Sequence, residues 1–218
     1  PPATSVTPHL DSAAQIASPP FFRIHGPNGN LIEILGTIHL GPSEGWKIGS
    51  TITNALARAD SFVLEIDPRS LDEAKLGDVL TSMVMLPAGT TLKDVVSPET
   101  AKLIDEHDAS LSAIGFPEGA RRHKKPWYLV TNIMSLDQQK IGFDPAQSVE
   151  AIILSSAGAR PLMGLETFEF QLQLLDDLSP EIQDVMLRDT LERRGDTVTE
   201  IKKLVEAWKS NDQDALEK

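Results

Sequence analysis

Three apolar runs along the chain have the length and composition of buried β-strands. They are Leu31–Leu40, Ser61–Asp67 and Arg160–Glu166. Their near-continuous apolar character, rich in Ile, Val and Leu, is typical of strands that are covered on both faces. The hydrophobic pattern therefore predicts a sheet built around these three segments.

The segments between the runs predict how the strands connect. Phe21–His25 precedes the first run across Gly26–Asn30, and an Asn-Gly pair between apolar segments is a strong indication of an antiparallel hairpin. Trp46–Asp60 has helical periodicity, and a strand, a helix and a strand of these lengths form a right-handed crossover with parallel strands. We therefore expect an α/β fold with a mixed, largely parallel sheet that is flanked by helices and starts with an antiparallel hairpin.

Polar residues capable of chemistry stand at the ends of these runs: His39, Glu65 and Glu166. Ligands of open α/β sheets bind beyond the carboxyl ends of the strands, so we expect the three side chains to lie close together there. One imidazole and two carboxylates suit either a divalent metal or an acid/base pair. In the first run Gly36 permits close approach of a ligand or another backbone segment, and we count it as a binding candidate.

Charge and composition narrow the range of partners. The chain has 20 Lys and Arg against 32 Asp and Glu, a net charge of −12, which disfavours nucleic acid. No apolar run is long enough to cross a bilayer, and no cysteine is present. One basic cluster, which includes Arg121 and Arg122, either binds an anionic group of a ligand or is a solvated stretch before a helix.

The first twenty residues differ in composition from the rest. Residues 1–20 are rich in Pro, Ser, Ala and Thr, which predicts a flexible N-terminal segment ahead of an α/β domain over 21–218. Such a segment resembles the spacer that follows a secretion signal, which favours an extracytoplasmic location, periplasmic or secreted; a plain disordered tail has the same composition.

Five ordered sequence blocks resemble the TraB/PrgY/GumN family, whose animal relatives are the Tiki metalloproteases. The blocks are GTIHLG from Gly36, LEID from Leu64, KPW from Lys125, GLET ending at Thr167 with Gln171 after it, and AWKSND from Ala207.

The resemblance implies a fold related to erythromycin esterase and the haem-binding ChaN proteins. It also implies a metal-dependent peptidase in which His39, the histidine of a GxxH motif, and Glu65 hold manganese, cobalt or zinc. Glu65 or Glu166 would be the general base, and the substrate a peptide or protein.

Two departures from the family pattern stand out. The family's second GxxH has no counterpart before Lys218, so we expect the domain to be incomplete at its C-terminus. Where the family often has Gly-Val-Asp, this chain has Ser148-Val149-Glu150, which keeps a carboxylate one methylene further from the backbone.

Two other functions remain open at this point. A non-catalytic protein would bind a peptide or haem in the same cleft. An interaction domain would pair an exposed sheet edge with another chain, as in a homo-oligomer.

Overall fold

The computed structural model describes residues 16–217, with the side chains of 73–75 left out, and the chain divides into two compact units. Among the described residues, unit 1 consists of 16–62, Gln138–Leu162 and 198–217, and unit 2 of Val63–Asp137 and Met163–Thr197.

The described part of the chain is a mixed α/β structure. Its strands are β1 (Phe21–His25), β2 (Leu31–Leu35), β3 (Gly41–Pro42), β4 (Phe62–Ile66), β5 (Phe143–Asp144) and β6 (Leu162–Glu166). Its helices are α1 (Ser50–Arg58), α2 (Glu73–Val84), α3 (Pro98–Glu106), α4 (Asp108–Ala113), α5 (Glu118–Arg121), α6 (Pro126–Lys140), α7 (Val149–Ala157), α8 (Phe168–Asp176), α9 (Pro180–Glu192), α10 (Thr197–Ser210) and α11 (Gln213–Leu216).

The predicted antiparallel hairpin is confirmed. β1 pairs with β2 so that Phe22 faces Ile34. Asn28 and Gly29 both have positive φ, 65° and 80°, which is the backbone conformation that an Asn-Gly pair adopts most easily.

The single, mostly parallel sheet that the sequence predicts is not formed by residues 16–217. The strands are arranged there as three two-stranded sheets: β1 with β2, β3 with β5, and β4 with β6. The first run is a strand only as far as Leu35, and Ile32 is 60% exposed instead of covered. The prediction was wrong because an apolar run indicates a strand but does not identify the neighbour with which the strand pairs.

Unit 1 is built around an aromatic cluster. The rings of Trp46 and Trp208 have centroids 4.9 Å apart, and Phe143 lies 6.4 Å from Trp46. α10 contributes Trp208 together with buried Ile201 and Val205, as its helical periodicity predicts.

Unit 2 is mainly helical. α3, α6 and α9 are among the elements that fill its main hydrophobic core, which consists of Leu92, Ile104, Leu111, Phe116, Leu129, Val130, Ile133, Leu187 and Leu191. A smaller cluster joins Val84, Trp127 and Leu172. Among residues 16–217, none of the helices combines the length and apolar character needed to cross a membrane.

The end of the N-terminal segment, from residue 16 onward, contacts other parts of unit 1. Ala17 is fully buried, forms a parallel bridge with Ile48, and donates its N–H to the Lys47 carbonyl. The Ser18 N–H donates to the carbonyl of Lys209. Residues 1–15 of the predicted segment lie outside the described residues.

Candidate functional site

His39 meets a carboxylate within unit 1, and that carboxylate is Glu150. The His39 Nδ1 atom lies 2.9 Å from Oε1 of Glu150. The side chain of His39 is 70% exposed, whereas that of Glu150 is 25% exposed and both its carboxylate oxygens are shielded from solvent. The pair therefore joins an accessible imidazole to a sheltered acid.

The fold holds both partners by their backbones. His39 lies in a bend after β2, between the buried side chains of Ile38 and Leu40. Glu150 lies in the first turn of α7, which Ser148 caps by accepting a hydrogen bond from the Ala151 N–H. The Val149 N–H donates to the Ile38 carbonyl at 3.3 Å, which ties the bend to the start of the helix.

Gly41 makes the close approach of the two segments possible. A Cβ atom at this position would lie 1.9 Å from the carbonyl oxygen of Gln147. β3, which begins at Gly41, also pairs with β5 just before α7. The second glycine of the GTIHLG block therefore sets the distance between the histidine bend and α7.

The pKa of Glu150 lies below the usual value of 4.5. Burial alone would raise this pKa, but the polar groups of His39, Thr37 and the Glu150 backbone beside the carboxylate, together with the charge on His39, outweigh it. Glu150 is therefore ionised at neutral pH.

Gly36 is anchored by the chain itself. Its N–H donates to the Pro20 carbonyl at 2.8 Å, and its carbonyl accepts from the indole Nε1 of Trp208 at 2.9 Å. A Cβ at Gly36 would lie 3.3 Å from Pro20, so the close approach that the glycine allows is used by Pro20. A role of Gly36 in binding a ligand stays a prediction.

Glu65 and Glu166 lie on the neighbouring strands β4 and β6, and both residues are exposed. Gly164 lets the strand ends approach, because a Cβ there would lie 2.7 Å from the backbone nitrogen of Asp67. Glu166 accepts a hydrogen bond from Gln171 Nε2 at 3.2 Å. The GLET block and its following glutamine thus fix the position of Glu166 at the start of α8.

The three residues predicted to meet are divided between the units. His39 belongs to unit 1, whereas Glu65 and Glu166 belong to unit 2. Across residues 16–217, no group of three or more His, Asp and Glu side chains is close enough to hold a metal ion. The described residues therefore do not provide a complete metal site by themselves.

The two arginines predicted to bind an anionic group differ in environment. Arg121 is 2% exposed, donates to the Phe116 carbonyl at 2.8 Å, and pairs with Asp108, which favours a structural role. Arg122 is exposed and lies 3.6 Å from Glu118 one helical turn away. Binding of an anion by Arg122 stays a prediction.

Glu150 is the residue that the sequence analysis did not select as a site candidate. The only indication in the sequence was that Glu150 stands where the family often has Asp, at the end of the Ser148–Glu150 segment. Glu150 and His39 are distant in the chain, and no periodicity predicts that a bend after β2 contacts the first turn of α7.

An open cleft of about 280 Å³ lies on another part of α7. Its lining carries no charged side chain and consists of Gly45, Trp46, Ala146, Gln147, Ser148, Ala151, Ile152, Ser155 and Ser156. The cleft shares its helix with Glu150, which places a neutral concave surface on the element that bears the acid.

Comparisons with known proteins identify the relatives of the chain. An uncharacterized protein of Treponema pallidum (strain Nichols) is 24% identical over 200 residues, which are 90% of this chain and 59% of that protein. The chain thus spans less than two thirds of the length of this relative. No solved structure matches. The model of the TraB/PrgY/gumN family matches residues 20–218, and the chain therefore belongs to that family.

Proposed function

We propose that this protein is a hydrolase of peptide or protein substrates in which His39 is the central functional group. The observation that carries the proposal is the contact between the exposed His39 imidazole and the shielded, ionised carboxylate of Glu150. An imidazole that is oriented by a carboxylate is a recurring arrangement for proton transfer and for metal binding.

The residues of the chain supply distinct parts of this proposed chemistry. His39 accepts or delivers a proton, or binds an ion, through its ring. Glu65 and Glu166, exposed on adjacent strands, are the proposed carboxylates for ligation or general-base work.

A divalent ion, manganese, cobalt or zinc, belongs to the proposal with His39 and Glu65 as ligands. When bound, such an ion lowers the pKa of a coordinated water molecule. Because the described residues form no group of three acidic or histidine ligands, a complete site requires ligands in addition to theirs. The relation to the erythromycin esterase and ChaN folds is likewise part of the proposal.

The test compares His39→Ala with His25→Ala, which removes an exposed imidazole from the hairpin instead of the site. Each purified full chain is incubated with manganese, cobalt or zinc and dialysed, and retained metal and cleavage of a peptide library are measured by mass spectrometry. We expect His39→Ala to lose metal retention and peptide cleavage, and His25→Ala to keep both activities. Cleavage that is unchanged in His39→Ala overturns the proposal.

A non-catalytic binding protein is the second candidate. The exposed imidazole of His39 suits capture of a peptide or of haem, for which histidine is a common iron ligand. Tight binding of a peptide or of haem that persists in the presence of a chelator, without turnover, would favour this function.

We also propose an extracytoplasmic location, periplasmic or secreted, and a homo-oligomer. The composition of residues 1–20 supports the first. The second is supported by the exposed hairpin face formed by Phe22, Ile24, Ile32 and Ile34. Cell fractionation tests the location, and a monodisperse monomer in light scattering contradicts the oligomer.

A further inference from the structure

The contact with Glu150 affects which nitrogen of the His39 ring carries a proton. The two atoms in contact are Nδ1 of His39 and Oε1 of Glu150, 2.9 Å apart. An ionised carboxylate has no proton to donate, and two lone pairs 2.9 Å apart would repel each other, so the ring nitrogen beside Glu150 carries the proton. When the ring holds a single proton, that proton is on Nδ1 and the lone pair is on Nε2.

The surroundings keep Glu150 in this position. Its oxygens are shielded from solvent, and its helix starts at a capped N-terminus that is tied by a backbone hydrogen bond to Ile38. The first turn of a helix also favours a negative charge. These surroundings therefore hold the Glu150 carboxylate in place beside His39, whereas a carboxylate on an exposed side chain would move freely.

We propose that Glu150 is the positioning residue of His39: it holds the ring as the Nδ1–H tautomer and so presents the Nε2 lone pair to a substrate proton or a metal ion. The working role of Nε2 rests on the proposed hydrolase function. The tautomer itself does not, and it is measured on the protein without substrate or metal.

The tautomer is measured by long-range ¹H–¹⁵N correlation NMR on the ¹⁵N-labelled full chain at a pH where the imidazoles carry one proton. His123 is an internal reference, because its Nδ1 lies 2.9 Å from the Thr90 carbonyl oxygen, which can only accept. We expect His39 to show the same Nδ1–H pattern as His123, and the exposed His25 to show the Nε2–H form that a free imidazole prefers.

Glu150→Ala and Glu150→Asp form the matched pair of variants. We expect Glu150→Ala to move His39 to mainly Nε2–H while His123 is unchanged, and Glu150→Asp, which keeps the carboxylate, to restore at least part of the Nδ1–H signal. An Nδ1–H pattern for His39 that persists in a folded Glu150→Ala overturns the proposal, as does a wild-type His39 in the Nε2–H form.

Peptide cleavage separates this inference from the proposed function. For a positioning residue we expect kcat to fall about 10- to 100-fold in Glu150→Ala with KM nearly unchanged, and Glu150→Asp to recover part of the rate. Loss of the tautomer with an unchanged kcat overturns the positioning role. A wild-type protein that has the expected tautomer but cleaves no peptide refutes the hydrolase and leaves the geometry of the pair intact.

Discussion

A single methyl group at Gly41 would collide with the backbone that leads into α7. The added Cβ would lie 1.9 Å from the Gln147 carbonyl oxygen, so the bend and the helix must move apart. We expect Gly41→Ala to lower the free energy of unfolding by about 1–3 kcal/mol, as overpacking does, and to separate His39 from Glu150. Urea denaturation measures the change in the free energy of unfolding. The His39 tautomer, measured by NMR, reports the separation of His39 from Glu150.

Gly77→Ala is the matched control for this change. Gly77 lies inside α2, and a Cβ there has no neighbouring atom within 4 Å. We expect it to raise stability by about 0.5–1 kcal/mol, because alanine has the higher helix propensity. Equal effects of the two substitutions would contradict the steric argument.

Asp184 provides a pH-dependent contribution to stability. Burial raises its pKa, but hydrogen bonds from Thr100, from the Ser97 side chain and from the Ser97 N–H, and the charge of Arg188, bring the pKa below 3.8. Because the pKa is lower in the folded state, this contribution is complete above about pH 4, near the unfolded value, and is lost as the pH falls through the folded pKa.

We therefore expect Asp184→Asn to cost about 1 kcal/mol at pH 7, with a difference from wild type that shrinks as the pH falls below 4. Asp189→Asn on the same helix is the control, because Asp189 forms an exposed pair with Arg193 and should change stability by less than about 0.5 kcal/mol. Thermal unfolding between pH 3 and 7 gives both curves, and a difference that grows towards low pH would contradict the assignment.

The site was partly predictable at the scale of single residues. His39 was selected because it lies at the end of an apolar run, and it contacts an acid other than the one that was expected. The identity of that acid was not predictable, since sequence reasoning placed Glu65 beside His39 by assuming that β2 and β4 are parallel neighbours. In the described residues β2 pairs with β1 and β4 with β6.

At the scale of elements, the KPW block joins α6 to α8. Lys125 Nζ and Trp127 Nε1 both donate to Oδ1 of Asp176, at 2.5 and 3.0 Å. The ion pair is half-buried, with side chains 25% and 18% exposed. Removal of one donor leaves a sheltered carboxylate with fewer partners, which costs more than the loss of a solvated pair.

We expect Lys125→Met to lower the free energy of unfolding by about 1–3 kcal/mol. Lys203→Met is the control: Lys203 pairs with Glu200 at 3.0 Å on α10, where both side chains are more than 60% exposed. Its loss should change stability by less than about 0.5 kcal/mol. Similar losses in urea titrations of the two variants would show that the Asp176 contacts do not stabilise unit 2.

Helices were easier to predict than sheets for a physical reason. Ser97 and Ser179 each cap a helix that has Pro at its start, and these caps depend on residues close together in sequence. Strand pairing depends on segments far apart in the chain. The β1–β2 hairpin was predicted correctly because a local Asn-Gly turn determines that pairing.

At the scale of the whole molecule, each unit has its own core and each is assembled from separate chain segments. Unit 1 depends on α10, because Trp208 from that helix donates a hydrogen bond to the Gly36 carbonyl and packs on Trp46. Leu187 contributes to the helical core of unit 2, and this residue has no exposed surface. Trp208 and Leu187 therefore belong to the cores of different units.

We therefore expect Trp208→Ala and Leu187→Ala to act on different parts of the chain. Truncation of a buried side chain of these types costs about 2–5 kcal/mol. In hydrogen–deuterium exchange, Trp208→Ala should reduce protection in α1 and α7 of unit 1 and spare α6 within unit 2, whereas Leu187→Ala should do the reverse. Because the GxxH bend depends on the Trp208 contact, His39 should lose its Glu150-bound tautomer only in Trp208→Ala. Uniform loss of protection in both variants would mean that the two cores unfold as one cooperative structure.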